Sequence, residues 1–251
     1  MRRFYLPPAA CQGDKLVLTH REAHHAAHVL RLHPGDEVTV LDGAGTRLTC
    51  AVKNLSRKTI ELSVRLRQKI PRPPFEITLL QAIVKGKTME TIVEKATELG
   101  ASRVVPLITE RVVSQLDAQR SDSKHEKWQL TAIESIKQCG SPWLPQIDAP
   151  KRLHEILKEA GSFDVAFVAS LRGGSHIRQW LEPLRIPPRS ACVWIGPEGD
   201  FTNPELDAIE ASGAKPITLG PLVLRADTAA IASLAVLRSE ADCLNATAPA
   251  P

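Results

Sequence analysis

No stretch of this chain approaches ~18 uninterrupted apolar residues, which excludes a membrane-spanning helix. The amino terminus, Met1-Arg2-Arg3-Phe4-Tyr5-Leu6-Pro7-Pro8, is basic but has no apolar segment of signal-peptide length. A cytoplasmic location is therefore expected. Cysteine is sparse: Cys11, Cys50, Cys139, Cys192 and Cys243 make an odd count of five with no Cys-x-x-Cys pair. That pattern argues against a zinc knuckle or a disulfide framework and leaves reduced structural thiols.

A complete set of metal ligands is also missing. His20, His24, His25, His28 and His33 gather in one segment, with His24 and His28 on one helical face at i, i+4. No carboxylate or cysteine completes the set, so the histidines read as a polar helix face or an RNA contact, and no metal is expected. A phosphate-binding loop is lacking too. Ile83-Val84-Lys85-Gly86-Lys87-Thr88 ends like Gly-x-x-x-x-Gly-Lys-Thr, but Gln81 stands where the first glycine is required.

What is present is a chain of 251 residues, 43% hydrophobic and 24% charged, long enough for a real core and for two domains. Its net charge of +4 is unevenly spread, since residues 1–73 carry 13 Lys and Arg against 6 Asp and Glu while the remainder carries 19 against 22. A small basic module beside a near-neutral larger one suggests that the first grips a polyanion and the second does chemistry. An ordinary solvated surface gives the same asymmetry.

From Lys15 to Leu66 the pattern is short and β-rich. Lys15–Leu18, Glu37–Leu41, Arg47–Val52 and Thr59–Leu66 alternate in polarity around turns at Pro34-Gly35-Asp36 and Asp42-Gly43-Ala44-Gly45, with one helix near Arg21–Leu32. This predicts a small closed or partly open barrel. Pro71-Arg72-Pro73-Pro74 reads as the linker, giving domains at 1–72 and 73–251.

Beyond the linker, strand-like runs at Glu76–Ile83, Arg103–Ile108, Asp164–Ala169, Ala191–Ile195 and Lys215–Leu219 alternate with helix-like runs. The latter are Met89–Leu99, Ser123–Gln138, Leu153–Glu159, Ile177–Leu184, Asn203–Ser212 and Arg225–Cys243. The alternation predicts an α/β domain with a largely parallel sheet. Thr202, Pro204 and Glu205 spell a capping box for the helix from Asn203, and Gly213 supplies its stop. The last helix is rich in small residues, Ala229, Ala230, Ala232 and Ala235, which permit close approach of a neighbouring element.

The last quarter carries the chemistry. Ile195-Gly196-Pro197-Glu198-Gly199-Asp200-Phe201-Thr202 is followed by Leu219-Gly220-Pro221-Leu222-Val223-Leu224-Arg225-Ala226-Asp227-Thr228-Ala229. Each is a glycine-marked loop between an apolar strand and a helix, where main-chain groups left bare by glycine can hydrogen-bond a polar cofactor at close range. Either alone reads as a tight turn.

The pair, in its order and spacing, resembles the SPOUT class of S-adenosylmethionine (AdoMet) methyltransferases, and most closely the ribosomal RNA small subunit methyltransferase E (RsmE) family. That family spells Gly-Pro-Glu-Gly-Gly-Phe-Ser/Thr, then Leu-Gly, then Leu-Arg-x-Glu-Thr-Ala. Two positions differ here: Asp200 replaces the last glycine and Asp227 the usual Glu. A β-carbon at Asp200 disfavours the positive φ that glycine adopts freely. Lys85 through Met89, Val93 and Lys95 to Gly100 matches a further family run. Gln138-Cys139-Gly140 matches another, with Ser141-Pro142 where the family has Arg. Arg3-Phe4, His28-x-Leu30-Arg31 and Gly35-Asp36 are shared with the PUA-like domain that opens these proteins.

The resemblance implies a knotted α/β methyltransferase domain behind a PUA-like β-barrel, pairing as a homodimer in which the last helix packs across the interface. The implied reaction is AdoMet-dependent methylation of N3 of a uridine in 16S rRNA of the small ribosomal subunit, position 1498 in the usual rRNA numbering, with no metal and no membrane partner. It places the cofactor on Leu171, Gly196, Pro197, Glu198, Gly199, Leu219, Gly220, Leu222, Leu224 and Thr228. Leu219, Leu222 and Leu224 would offer the adenine slot. Leu171-Arg172-Gly173-Gly174-Ser175 resembles a third family loop at the same pocket and reads equally as a flexible turn.

Arg225 and Glu198 are the catalytic candidates. A guanidinium could stabilise the charge that spreads to O2 and O4 when uridine N3 loses its proton. The alternative for Arg225 is a structural ion pair with Asp227 or Glu198. Glu198 either accepts that proton or hydrogen-bonds loop amides. Arg2, Arg3, Arg31, Lys85, Lys87 and Arg111 are candidate RNA phosphate contacts, against the plain reading of solvated basic side chains. Methylation of a ribose 2′-oxygen, or a noncatalytic RNA-binding assembly factor on the same fold, are the alternatives.

Overall fold

A computed structural model describes residues 2–56, 58–112, 118–184 and 186–247; the side chains of His20 and His28 lie outside the described set. The chain forms two compact units, residues 1–72 with 133–144, and residues 73–132 with 145–251.

In the first unit β1 (Arg3–Tyr5), β2 (Lys15–Thr19), β3 (Glu37–Leu41), β4 (Thr46–Leu55) and β5 (Thr59–Lys69) form one sheet in the order β1-β3-β4-β5-β2. All neighbours are antiparallel except β1 and β3. Between β2 and β3 runs α1 (His20–His24), continued by a wider π turn at His25–Val29. Alternation determines which face is inside. In β2, Leu16 and Leu18 are buried while Lys15, Val17 and Thr19 are exposed. Phe4, Val38, Val40, Leu48, Cys50, Ile60 and Leu62 complete that core, with Ala23 and Ala26 contributed by the helical segment. Burial pushes the Cys50 thiol up to about 12 and the Cys11 thiol to about 11, so these cysteines stay protonated packing groups.

Residues 133–144 lie beyond the linker in sequence but are compact with the first unit, and hydrogen bonds account for it. They hold the carboxyl end of a long helix whose last carbonyls need donors. Arg3 Nη1 donates to the carbonyls of Lys137 (3.1 Å) and Gln138 (2.6 Å), and Arg47 Nη2 to that of Gly140 (3.1 Å). Trp143 lies against Gly45, where a β-carbon would come within 2.3 Å of the indole ring. Asp42 Oδ1 closes the same turn by accepting from the amides of Ala44 and Thr46.

The second unit contains β6 (Glu76–Ala82), α2 (Thr88–Glu98), β7 (Arg103–Ile108), α3 (Ala118–Cys139, its last turns in the first unit), β8 (Gln146–Ile147) and β9 (Lys151–Arg152). There follow α4 (Leu153–Leu157), β10 (Val165–Ala169), α5 (Ile177–Leu181), β11 (Ser190–Ile195), α6 (Asn203–Ala211), β12 (Lys215–Ile217) and α7 (Ala226–Thr247). The strand order is β12-β10-β11-β6-β7-β8, with β9 also on β7, and every pairing is parallel. Helices cover both faces, so the central strands β6 and β11 are buried almost throughout rather than alternating. Leu80, Val105, Val168 and Trp194 pack with Leu206 and Ile209 of α6. α7 packs on α2, β6 and β11, and Ala230, Leu234 and Leu237 form its buried stripe.

An ion cluster ties β7 to the segment after it. Arg103 grips Asp148 (Nη2 to Oδ2, 2.5 Å) and Glu159 (3.0 Å), and Lys151 reaches the same two carboxylates at 3.0 and 3.1 Å. Burial pushes the Asp148 carboxyl up, but hydrogen bonds from Arg103, Lys151 and Gln146 overcome it, and the net position is below the ordinary carboxylate value. A depressed folded value means that stability is present above the unfolded value of ~3.9 and lost as pH falls through the folded one. Asp148→Ala should therefore cost roughly 1–3 kcal/mol near neutral pH, because it removes the most buried carboxylate of the cluster and leaves Arg103 and Lys151 to share Glu159. In urea titrations the gap from wild type should close toward strongly acidic pH.

Candidate active site

Parallel neighbours deliver all their carboxyl ends to one edge of the sheet, and the site lies on that edge. In β12-β10-β11-β6 the paired positions Ala169↔Ile217 and Ile195↔Gln81 bring four strand ends level. The loops that leave them enclose a cavity of about 480 Å³. Ala169, Ser170 and Leu171 come from β10, Ile195 to Glu198 and Asp200 from β11, and Ile217 to Gly220 with Leu222 to Arg225 from β12. Val84 and Thr88 close it from the β6 side, and Ala226, Asp227 and Ala229 of α7 complete the wall.

The first loop is shaped by its glycine and its acid together. Asp200 has φ +62°, the left-handed region, which overturns the expectation drawn from its β-carbon. Aspartate tolerates this conformation because its carboxylate hydrogen-bonds locally. Oδ1 accepts from the Phe201 amide at 2.8 Å, and the Asp200 amide donates to the Pro197 carbonyl at 2.9 Å. The fold of the loop then leaves no room at Gly196, whose β-carbon would stand 2.8 Å from Asp200 Oδ1 and 3.1 Å from the Phe201 nitrogen. The capping box follows at once: Thr202 accepts from the Glu205 amide, and Glu205 Oε2 accepts from the Thr202 amide at 2.9 Å. Glu205 Oε1 takes the Glu110 amide at 2.8 Å, tying the loop after β7 to this helix start.

The second loop turns at Gly220, φ +118°, with Thr218 Oγ1 closing it on the Gly220 main chain. Leu222 and Val223 are each 76% exposed, and Leu171 of the third loop is 64% exposed, an apolar rim around a partly polar cavity. The third loop is laid against β12 through Ser175 N to Pro216 O and Thr218 N to Ser175 O, both 3.2 Å. Arg172 anchors it to α6 by Asp207 (2.5 Å) and the Asn203 side chain (2.7 Å).

Arg225 is exposed at the cavity wall, and its carbonyl accepts the Ala229 amide, so it stands at the first turn of α7. Among the described residues no ion pair joins it to Asp227 or Glu198, so the structural bridge is not formed. Glu198 Oε1 accepts from the Lys85 amide at 3.2 Å, which is the loop-fixing arrangement. Asp227 Oδ1 accepts from the Thr228 amide at 2.8 Å.

Eight of the ten expected cofactor residues line the cavity: Leu171, Gly196, Pro197, Glu198, Leu219, Gly220, Leu222 and Leu224. Gly199 and Thr228 do not. A β-carbon added at Gly199 would stand 3.3 Å from Arg111 Cδ, and the Thr228 hydroxyl turns to Asp227. Val84, Thr88, Ser170 and Asp200 were not among the expected cofactor residues; Val84 and Ser170 lie just past a strand end, Thr88 opens α2, and Asp200 lies in the loop between β11 and α6.

The expected RNA contacts divide. Arg2 pairs with Asp36 at 2.6 Å, Arg3 caps helix carbonyls, and Arg111 Nη1 donates to the Asp200 carbonyl at 3.2 Å. Arg31 (φ +48°), Lys85 and Lys87 are exposed. Among the described residues no cluster of three His, Cys, Asp or Glu could hold a metal ion.

The chain is similar to known proteins over most of its length. Residues 71–238 match the model of an RNA methyltransferase domain, and residues 18–65 match that of an RNA methyltransferase PUA domain. The ribosomal RNA small subunit methyltransferase E of Synechocystis is 33% identical over 94% of this chain and 77% of that protein. The Bacillus subtilis protein of the same name is 26% identical over 97% and 98%. Among solved structures, a Legionella pneumophila protein in complex with the bound cofactor SAM superposes with a TM-score of 0.86 at 30% identity, covering 95% of this chain and 97% of that one. Ribosomal RNA small subunit methyltransferase E from Neisseria gonorrhoeae, bound to S-adenosyl methionine, gives 0.85 at 27% identity over 96% and 98%.

Proposed function

Because this chain belongs to the ribosomal RNA small subunit methyltransferase E family, we propose that it transfers a methyl group from AdoMet to N3 of a uridine in 16S rRNA. The observation that carries this reading is the convergence of three loops from adjacent parallel strands on one cavity with Arg225 in its wall. The cavity fits the donor. Its volume is in the range of small-molecule sites, Leu219, Leu222 and Leu224 provide an apolar slot, and the loop main chain provides polar partners. Glu198, Asp200 and Asp227 outnumber Arg225, which suits a cationic ligand. When bound, AdoMet supplies a methyl group activated by its sulfonium.

The residues of the chain supply placement and charge. Arg225 stabilises the oxygens of the uracil as N3 gives up its proton, in a site where a fixed guanidinium needs no reorganisation. Glu198, held on the Lys85 amide, ties the cradle to the β6–α2 loop and so aligns the partners for an in-line displacement. The PUA-like unit, with Arg2, Arg3 and Arg31, and the flank of the cavity, with Lys85, Lys87 and Arg111, supply the phosphate contacts. Arg3 and Arg111 contribute chiefly through the backbone they already hold. A knotted topology, a homodimer and a cytoplasmic location belong to the same proposal.

The test is a nucleoside digest of small-subunit rRNA from cells with and without this protein, read by mass spectrometry. The methylated uracil should vanish in its absence. A methyl group on ribose would convert the reading to 2′-O transfer, and RNA binding without AdoMet uptake in calorimetry would leave a noncatalytic assembly factor.

A further inference from the structure

Asp200, at the position where the resemblance has glycine, is one of the residues lining the cavity. One oxygen, Oδ1, is engaged by the Phe201 amide. Of the two guanidiniums nearby, Arg111 donates to the Asp200 carbonyl, and Arg172, hydrogen-bonded to Asp207 and Asn203, stands close enough to feel the Asp200 charge without bonding its carboxylate. With Glu198 and Asp227, the residues lining the cavity include three acids against Arg225, each acid with one oxygen on a main-chain amide. A cavity of this sign distinguishes two ligands of nearly the same shape. The methyl donor carries a sulfonium charge, and its demethylated product is a neutral thioether.

We propose that Asp200 is a specificity-determining residue that holds the sulfonium form of the cofactor in preference to the demethylated thioether, thereby favouring exchange of spent for fresh donor. The inference rests on the methyltransferase reading above. The charge acts through space across the cavity, so its effect is electrostatic and selective. A residue that served only to shape the loop would weaken both ligands alike.

Asp200→Asn is the informative variant, because asparagine also accepts the left-handed conformation and keeps an oxygen for the Phe201 amide. Asp200→Gly, which suits φ +62° without strain, is the second. Titration calorimetry with AdoMet and with S-adenosylhomocysteine reads the result directly, and thermal melts report folding. Removing one charge at a partly screened distance should weaken AdoMet roughly five- to tenfold while S-adenosylhomocysteine changes less than about twofold. The difference should shrink as KCl is raised. Equal weakening of both ligands, or no change in either, would overturn the proposal. Wild-type protein that takes up neither ligand would overturn the methyltransferase reading itself, and this inference with it.

Discussion

Arg225→Ala should lower single-turnover methyl transfer to small-subunit rRNA at saturating AdoMet roughly 100- to 1000-fold without weakening AdoMet binding, the loss expected when one fixed charge-stabilising donor is removed. The expectation follows from the surroundings of the guanidinium. Arg225 lines the cavity, and among the described residues no ion pair draws its side chain toward Asp227 or Glu198. Its alanine variant therefore removes a group from the site without orphaning a partner in the fold. Arg225→Lys keeps the charge but not the planar fork, and should recover only part of the rate. Full turnover by Arg225→Ala would remove the assigned role even if the family assignment stands.

Gly174→Ala should be the most damaging single-methyl change at the cradle. The added β-carbon would stand 2.5 Å from the carbonyl carbon and oxygen of Pro216 and 2.7 Å from the Ile217 nitrogen, and all three atoms are backbone of β12. No side-chain rotation relieves that overlap, so the loop carrying Ser170 and Leu171 must lift from the strand it is bonded to. Overpacking of this kind costs roughly 1–3 kcal/mol of stability. We expect AdoMet affinity to fall at least about tenfold, because loop positions that are ångströms off forfeit aligned contacts. Gly173→Ala is the comparison. It has φ +97° but nothing within 4 Å of the added carbon, so only backbone strain of about 1 kcal/mol applies. If the two variants melt and bind alike, close packing at residue 174 is not what holds this loop.

Long, strongly patterned segments were legible in the residues. Glu37–Leu41 and Arg103–Ile108 form strands with the expected bounds, and the Thr202 to Glu205 capping box forms as its spelling indicates. Three strands were not legible. β1, β8 and β9 are two or three residues long, too short for a period, and exist because a distant strand offers them hydrogen bonds. Arg3 shows the same limit for a side chain. Charge and position suggest a phosphate contact, yet its donors meet carbonyls more than 130 positions away in sequence, at Lys137 and Gln138. Asp200 shows it for the backbone, since its left-handed conformation depends on bonds to Pro197, Phe201 and Arg111 as well as on residue type.

By itself the sequence determined the family, the two-part organisation, the α/β class of the larger unit and the residues of the two main cradle loops, because those depend on residue type and on spacing along the chain. Tertiary structure decided which of those residues share a wall. It drew residues 133–144 into the first unit, turned Gly199 and Thr228 away from the cavity and brought in Val84, Thr88 and Asp200. The physical reason is that a parallel sheet aligns the ends of strands far apart in the chain, so proximity at its edge is set by strand order and register, quantities that no local pattern encodes.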